Sequence, residues 1–201
     1  MTGTVGIVSY GAYLPRLRLQ RKAAATANAW FAPGLAANAK GERSMANWDE
    51  DAVTMAVEAA RDCLPGAEPT EARKHIDSIH FASTTMPFAD RQNSGIVAAA
   101  LSLQETIASA DVTSSQRAGT TALINGLNAV ASGASGHPLV VTGDKRKTRA
   151  ASSQELIFGD GAAALELGTG AVIATFLGSQ SLTVDFIDHF RGESEDYDYN
   201  W

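Results

Sequence analysis

The sequence predicts an α/β fold, with a mixed and mostly parallel five-stranded sheet and helices on both faces. Short β-branched segments alternate along the chain with longer segments of helical periodicity. Such alternation implies right-handed crossovers and a largely parallel sheet. The chain has 201 residues, of which 45% are hydrophobic, and this is sufficient for one domain with a substantial core.

Strand segments are predicted from β-branched content or from alternation of apolar and polar residues. In chain order they are 5–10, 78–82, 107–112, 138–142, 162–167 and 172–176, with 182–187 as a further candidate. The segments 162–167 and 172–176 follow each other closely. They are therefore expected to form an antiparallel hairpin on the sheet.

Helices are predicted over about 17–31, 50–64, 95–103 and 118–132. Pro33-Gly34 is expected to end the first of them. The second has the strongest pattern, since Asp49 can cap it, Cys63 lies on its apolar face and Pro65-Gly66 ends it. Because Cys63 lies on that apolar face, it is expected to be a core residue.

The composition excludes several classes of protein. A net charge of −6 argues against a general nucleic-acid binder, and no apolar run has the length of a membrane span. A single cysteine and the lack of a signal-peptide pattern predict a cytoplasmic protein. Residues 1–190 are expected to form one domain, and the acidic residues 191–201 to begin a segment that leads to a C-terminal half.

Two segments could carry chemistry. In Ser114–Leu123 a predicted strand gives way to a helix, so a side chain there faces free backbone N–H groups and the positive end of the helix dipole. Such a position stabilises a thiolate or an oxyanion, although Ser114 or Ser115 could equally cap a purely structural helix. In Phe158–Ala164 the glycines allow a close turn, and Asp160 can accept hydrogen bonds from loop N–H groups.

Together these segments resemble the thiolase superfamily, and within it the 3-hydroxy-3-methylglutaryl-CoA synthases and the initiating ketoacyl-ACP synthases. The segment 115–123, Ser-Gln-Arg-Ala-Gly-Thr-Thr-Ala-Leu, is similar to the family's nucleophile junction, and Phe-Gly-Asp-Gly-Ala at 158–162 is identical to a family segment. The opening residues 5–15 and the segment 40–43 are also similar. The resemblance implies a thiolase-like N-terminal half, with Arg117, Gly159, Asp160 and Gly161 near the substrate.

Two catalytic positions depart from the family pattern. Gln116 stands where the family has its nucleophilic cysteine, and an amide cannot form a thioester. Thr84 stands where the hydroxymethylglutaryl-CoA synthases have a glutamate that acts as acid and base, and threonine does not titrate near neutral pH. The remaining catalytic groups of the family lie in its C-terminal half.

The resemblance leaves three functions open. The first is an acyltransferase homologue that binds acyl-CoA or acyl-ACP without the nucleophile. The second is a decarboxylase of malonyl thioesters, acting with a C-terminal half, since some ketoacyl synthase domains carry glutamine at this position. The third is a non-catalytic subunit, in a homodimer or with thiolase and OB-fold partners. A coenzyme A thioester is the implied substrate, and no resident cofactor is implied.

Other residues have weaker patterns. The four histidines have no metal-ligand spacing to cysteine or to one another, so no metal site is predicted. The basic run 145–149 is either a solvated loop or a contact for the phosphates of coenzyme A. Trp30 and Trp48 are either adenine contacts or packing residues. The apolar face of the helix 118–132 is expected to be exposed and to need a second copy or another half to cover it.

Overall fold

The computed structural model describes residues 3–64, 73–187 and 189–200, which fall into two units. The first unit lies within 1–14, 48–144 and 161–179, and the second within 15–47, 145–160 and 180–201. The strands of the described residues are β1 (Val5–Tyr13), β2 (Leu17–Gln20), β3 (Glu42–Met45), β4 (Ser78–Ala82), β5 (Ala108–Val112), β6 (Pro138–Asp144), β7 (Gly161–Thr169), β8 (Ala174–Thr175), β9 (His189–Phe190) and β10 (Tyr199–Asn200). The helices are α1 (Arg21–Ala27), α2 (Ala52–Cys63), α3 (Asn93–Ala100), α4 (Ala118–Ser132) and α5 (Ser153–Ile157), with a 3-10 helix at Pro33–Asn38.

The first unit contains a mixed sheet in the order β5-β4-β6-β7-β1-β8. Strand β4 pairs in parallel with β5 and β6, and the other neighbours pair antiparallel. Strands β1, β4, β5 and β6 therefore run in one direction, which confirms the predicted α/β class. The sheet has six strands rather than five, because the short strand β8 adds to the free edge of β1.

Two expectations for segments near the end of the chain were wrong. Strands β7 and β8 do not form a hairpin, because β1 lies between them and hydrogen-bonds to both. The segment 182–187 is not a strand, and its apolar side chains Leu182 and Phe186 are 80% and 81% exposed. Alternation of apolar and polar residues in 182–187 therefore does not mark a buried sheet face.

Helices cover both faces of the sheet of the first unit, as predicted. Alternate residues of β4 and β6 point to opposite faces. Phe81 and Val141 pack with α2 and α3 in the larger core cluster, whereas Ala82 and Val140 pack with α4 on the other face. Cys63 is 1% exposed within the larger cluster, and burial raises the pKa of its thiol, so it is a core residue as predicted.

The N-cap of helix α2 lies two residues later than predicted. Its N-cap is Asp51 rather than Asp49, and the Asp51 carboxylate accepts a hydrogen bond from Thr54 N at 2.8 Å. The Thr54 hydroxyl in turn accepts from Asp51 N at 2.8 Å. This reciprocal capping box satisfies two donors at once, which Asp49 could not do. The predicted stop at Pro65-Gly66 lies outside the described residues.

The second unit corrects the first predicted helix. Residues 17–20 form β2, which pairs antiparallel with β3 from Leu17↔Met45 to Gln20↔Glu42, and only 21–27 are α-helical. Pro33 occupies the first turn of the 3-10 helix instead of ending a helix, since its fixed φ suits that position. None of the helices described has both the length and the apolar character needed to cross a membrane.

Asp111, near the end of β5, holds the first turn of α3. Its carboxylate accepts hydrogen bonds from Asn93 N at 2.7 Å, Asn93 Nδ2 at 2.9 Å and Ser94 N at 2.7 Å. Burial disfavours the charged form, but these hydrogen bonds outweigh it and lower the pKa of Asp111 below its ordinary value. Its contribution to stability is therefore complete above the unfolded-state pKa and is lost as the pH falls through the folded-state pKa.

We expect Asp111→Asn to lower the free energy of unfolding by about 2 kcal/mol at pH 7, because hydrogen bonds to an ionised acceptor are lost. The difference from the wild type should stay constant at neutral pH and shrink as the pH falls below about 4. Urea unfolding between pH 3 and pH 8 measures this difference in the free energy of unfolding. Asp90→Asn, at an exposed position, is the control. A difference that grows towards low pH would contradict this role.

Candidate active site

The carboxyl ends of three neighbouring strands bring the predicted catalytic residues to one edge of the sheet in the first unit. Strand β4 leads into Ser83 and Thr84, β5 leads into the 114–117 turn, and β6 ends at Asp144. Since β4 lies between β5 and β6, its loop lies between the other two. Ser83 N also donates to the carbonyl of Val112 at 3.1 Å. Ligand sites of α/β sheets form at such an edge.

Gln116 lies in the turn between β5 and α4 and is exposed. The turn is tight: Ser114 has a left-handed φ of 66°, and Arg117 N donates to Ser115 Oγ at 3.1 Å. Helix α4 begins at Ala118, and its N-cap Arg117 makes no side-chain hydrogen bond to the first turn. A group bound beside residue 116 therefore meets the positive end of a helix of 15 residues.

Neither serine of this turn caps the helix through its side chain. Ser115 Oγ accepts from Arg117 N, which precedes the helix, and the cap position itself belongs to Arg117. The structural interpretation, in which Ser114 or Ser115 caps α4, is therefore wrong.

Asp144 is a carboxylate at this edge that the sequence analysis missed. One of its oxygens, Oδ1, accepts hydrogen bonds from Ser83 Oγ at 2.9 Å, Thr84 N at 2.8 Å, Thr84 Oγ1 at 3.1 Å and Thr85 Oγ1 at 3.0 Å. Thr84 therefore lies at this edge, and its hydroxyl donates to a neighbouring carboxylate. The Asp144 carboxylate thus contacts the residue that the resemblance places at the family's glutamate position, and that assignment stays a prediction.

The glycine segment divides between the two units. In the first unit, Gly161 begins β7 opposite Asp144, and an added Cβ would lie 3.3 Å from the carbonyl oxygen of Tyr13. In the second unit, the buried Asp160 carboxylate accepts from Ala46 N at 2.8 Å, as expected for a residue that satisfies loop N–H groups. A Cβ on Gly159 would lie 2.8 Å from Ser44 Oγ. Their contact with substrate stays a prediction.

Basic residues of the run 145–149 contact acidic and aromatic residues of the second unit. Arg146 pairs with Asp198 at 2.6 Å and lies over the Phe158 ring at 4.5 Å. Lys147 pairs with Asp196 at 2.8 Å, and this hydrogen bond raises the pKa of Lys147. Neither alternative from the sequence, a solvated loop or a phosphate contact, anticipated this internal pairing.

The exposed apolar residues differ from those expected. The apolar residues of α4 pack on the sheet, with Leu127 and Val130 buried and Leu123 half-buried, so the expectation of an exposed helix face was wrong. Exposure is instead high at Trp30 and Trp48, which are 84% and 88% exposed. Such exposure is inconsistent with core packing of the two tryptophans.

Comparisons with known proteins agree with this architecture. No family model matches the chain. Hydroxymethylglutaryl-CoA synthase of Pyrococcus horikoshii is 32% identical over 195 residues, which are 96% of this chain and 54% of the relative. The synthase of Methanococcus vannielii is 34% identical over 203 residues, 96% of this chain and 56% of the relative. The chain thus spans about half the length of the curated relatives it matches.

Solved structures show the same fold. A hydroxymethylglutaryl-CoA synthase complexed with CoA has a TM-score of 0.84 at 21% identity, covering 98% of this chain and 50% of that one. The 3-oxoacyl-(acyl carrier protein) synthase III of Pseudomonas aeruginosa has a TM-score of 0.80 at 20% identity, covering 98% and 63%. The chain therefore has the thiolase-type fold and is similar to the N-terminal half of hydroxymethylglutaryl-CoA synthase.

Proposed function

We propose that this chain is the acyl-thioester-binding half of a condensing-type protein related to hydroxymethylglutaryl-CoA synthase, and that it binds its thioester without becoming acylated. The observation that carries the proposal is the place of Gln116. The residue is exposed in the β5–α4 turn, at the start of the helix, in a chain 32% identical to that family over 195 residues. An amide there can hydrogen-bond a thioester but cannot attack it.

The chemistry of the sheet edge supports binding. The start of α4 offers backbone N–H groups and a partial positive charge to a thioester carbonyl or to a developing oxyanion. Arg117, exposed beside it, offers a cation for a phosphate or carboxylate. Asp144 supplies a carboxylate near the same edge, and it accepts hydrogen bonds from the hydroxyls of Ser83, Thr84 and Thr85.

Coenzyme A is the carrier that the comparisons favour. Two of the solved neighbours hold CoA or 3-hydroxy-3-methylglutaryl-CoA, and they overlay 98% and 100% of this chain. The similarity to 3-oxoacyl-(acyl carrier protein) synthase III keeps acyl-ACP as the alternative carrier. The two carriers share the phosphopantetheine thioester, so the same binding surface would serve both.

Calorimetric titration with CoA and acetyl-CoA tests the proposal, together with the intact mass of the protein afterwards. We expect saturable binding, no added acetyl mass, and a roughly 10-fold loss of affinity in Arg117→Ala, since a charge-assisted hydrogen bond is removed. Arg61→Ala is the matched control. Arg61 is an exposed arginine in the last turn of α2, paired with Glu58 at 2.5 Å. Absence of binding, or an acetyl adduct on the wild type, would overturn the proposal.

Decarboxylation of a malonyl thioester is the second candidate, favoured by the amide at residue 116. In this step the bond to the carboxylate carbon breaks, CO₂ leaves, and the electron pair passes into the thioester enolate. Hydrogen-bond donors stabilise the enolate, which then takes a proton from solvent at carbon. Release of CO₂ from malonyl-CoA that falls about 100-fold in Gln116→Ala would support this function. Binding of CoA with no CO₂ release would favour a non-catalytic subunit.

A further inference from the structure

We propose that His75, His137 and Glu166 form a binding site for one Zn²⁺ ion at the edge of the sheet opposite the candidate active site. The ligand atoms are His75 Nε2, His137 Nδ1 and a Glu166 carboxylate oxygen, and they all lie within 4.8 Å of one another. Two imidazoles and a carboxylate are a donor set that zinc and similar transition metals favour. All three residues belong to the first unit.

The topology of the sheet explains why these residues meet. His75 precedes β4 by three residues and His137 directly precedes β6, and these strands are parallel neighbours with Ser78 opposite Pro138. Glu166 lies on β7, the next strand, opposite Leu139. The amino ends of β4 and β6 thus carry the two histidines, whereas the carboxyl ends carry the candidate active site.

The distances suit a metal ion. Glu166 Oε1 lies 2.8 Å from His75 Nε2 and 3.3 Å from His137 Nδ1. In a tetrahedral zinc site with bonds of about 2.0–2.1 Å, neighbouring ligand atoms are separated by about 3.3 Å. The two histidine nitrogens lie within 4.8 Å of each other, so a cation between the three atoms requires the two imidazoles to approach by up to about 1.5 Å. The two imidazole rings meet at 89°, with centroids 4.9 Å apart, so both nitrogens face the carboxylate without stacking.

The burial of the ligands matches a site that loads from solvent. The Glu166 side chain is 9% exposed, so its carboxylate is fixed in the protein. The His75 and His137 side chains are 39% and 42% exposed, so they leave one side open for a cation and a bound water. Three protein ligands with an open position are typical of zinc sites that hold a water molecule.

Outer contacts hold the ligands in place. The second oxygen of Glu166 accepts from Ser9 Oγ at 3.1 Å, which leaves Oε1 directed at the histidines. The Asp77 carboxylate accepts from Gly136 N at 2.5 Å and His137 N at 3.3 Å, which fixes the turn that carries His137. Such hydrogen bonds orient ligands in metal sites and contribute about 10- to 100-fold to affinity. Without a metal, the Glu166 carboxylate is a hydrogen-bond partner of both imidazoles. Experiment distinguishes this hydrogen-bonded cluster from a metal site.

Titration of chelator-treated protein with ZnCl₂ is the test. We expect one equivalent to bind and the melting temperature to rise, while MgCl₂ at the same concentration does neither, because magnesium prefers oxygen ligands. His75→Gln/His137→Gln should weaken Zn²⁺ binding by more than about 100-fold, and Ser9→Ala by about 10-fold. The matched control His80→Gln, from the half-buried histidine inside β4, should retain it.

Three results would overturn the site: no stoichiometric binding of Zn²⁺, equal binding by the double histidine variant, or equal loss in His80→Gln. Both ligand histidines are partly exposed, so their variants should keep the wild-type circular dichroism, and binding is then compared between folded proteins. The site is independent of the proposed function. CoA binding should be the same with and without Zn²⁺, and failure of CoA binding leaves the zinc test intact.

Discussion

Gln116→Cys is expected to convert a protein that is not acylated into one that carries one acyl group per chain after exposure to acetyl-CoA. Residue 116 is exposed directly before α4, and a thiol there lies at the positive end of a helix of 15 residues beside Arg117. Both features lower the pKa of a thiol and raise its thiolate fraction at neutral pH. The measurement is the intact mass over time, with the modified residue located by peptide mapping.

Ser115→Cys is the control for position. It places a thiol one residue away in the same exposed turn, so simple chemical exchange with acetyl-CoA should affect both variants equally. If the turn orients and stabilises the reaction, Gln116→Cys should react about 100-fold faster, the effect of one oxyanion donor. The native Cys63 is 1% exposed and should stay unmodified in every variant. Equal rates for the two variants would mean that residue 116 is not placed for acyl transfer.

The elements that the sequence predicted best are those whose partners lie close in sequence or whose pattern is unambiguous. Strand β4 occupies 78–82 and α4 occupies 118–132, as predicted, because one is a short and mostly buried segment and the other is a long periodic segment. Asp160 also followed its prediction, since its carboxylate accepts a backbone N–H from the 44–46 segment.

The errors arise where a distant partner decides the structure. Residues 17–20 are a strand because 42–45 pair with them, and no local pattern in 17–20 shows that pairing. Strand β1 separates β7 from β8, although 162–167 and 172–176 are near in sequence and carry a hairpin-like pattern. Local propensity is a weak prior where such long-range hydrogen bonds are available.

The same limit applies to the sites. Gln116 and Thr84 were predicted as site positions through a resemblance, whereas the carboxylate of Asp144 and the cluster of His75, His137 and Glu166 were not predicted. The spacing of these residues along the sequence matches no motif. A usable signal existed in the topology, because residues that flank neighbouring parallel strands must meet at one edge of the sheet. Applied to β4 and β6, that rule brings His75 to His137 and Thr84 to Asp144.

Gly11→Ala is expected to lower the free energy of unfolding by more than about 3 kcal/mol, and Gly11→Val to prevent stable folding. A Cβ at residue 11 would lie 2.2 Å from Cys63 N and 2.3 Å from Ala59 O, which are backbone atoms of the last turns of α2. The helix cannot move away freely. Ala12 N donates to Asp62 Oδ2 at 3.0 Å, and the single Ser9 O–H is shared between Cys63 O at 2.9 Å and Glu166 Oε2 at 3.1 Å, so polar contacts hold α2 against β1 on both sides of Gly11.

Alanine variants at two other glycines test whether the effect at Gly11 comes from steric overlap or from backbone strain. Gly133, the C-cap of α4, has a left-handed φ of 75° and no atom within 4 Å of an added Cβ, so Gly133→Ala should cost only about 1–2 kcal/mol. Gly95 lies inside α3 with an ordinary contact of 3.6 Å, so Gly95→Ala should gain about 0.5–1 kcal/mol. Urea unfolding of the three alanine variants gives the order. If Gly11→Ala and Gly133→Ala lower the free energy of unfolding equally, α2 can shift away from β1. The close packing of α2 on β1 is then not what stabilises this face of the sheet.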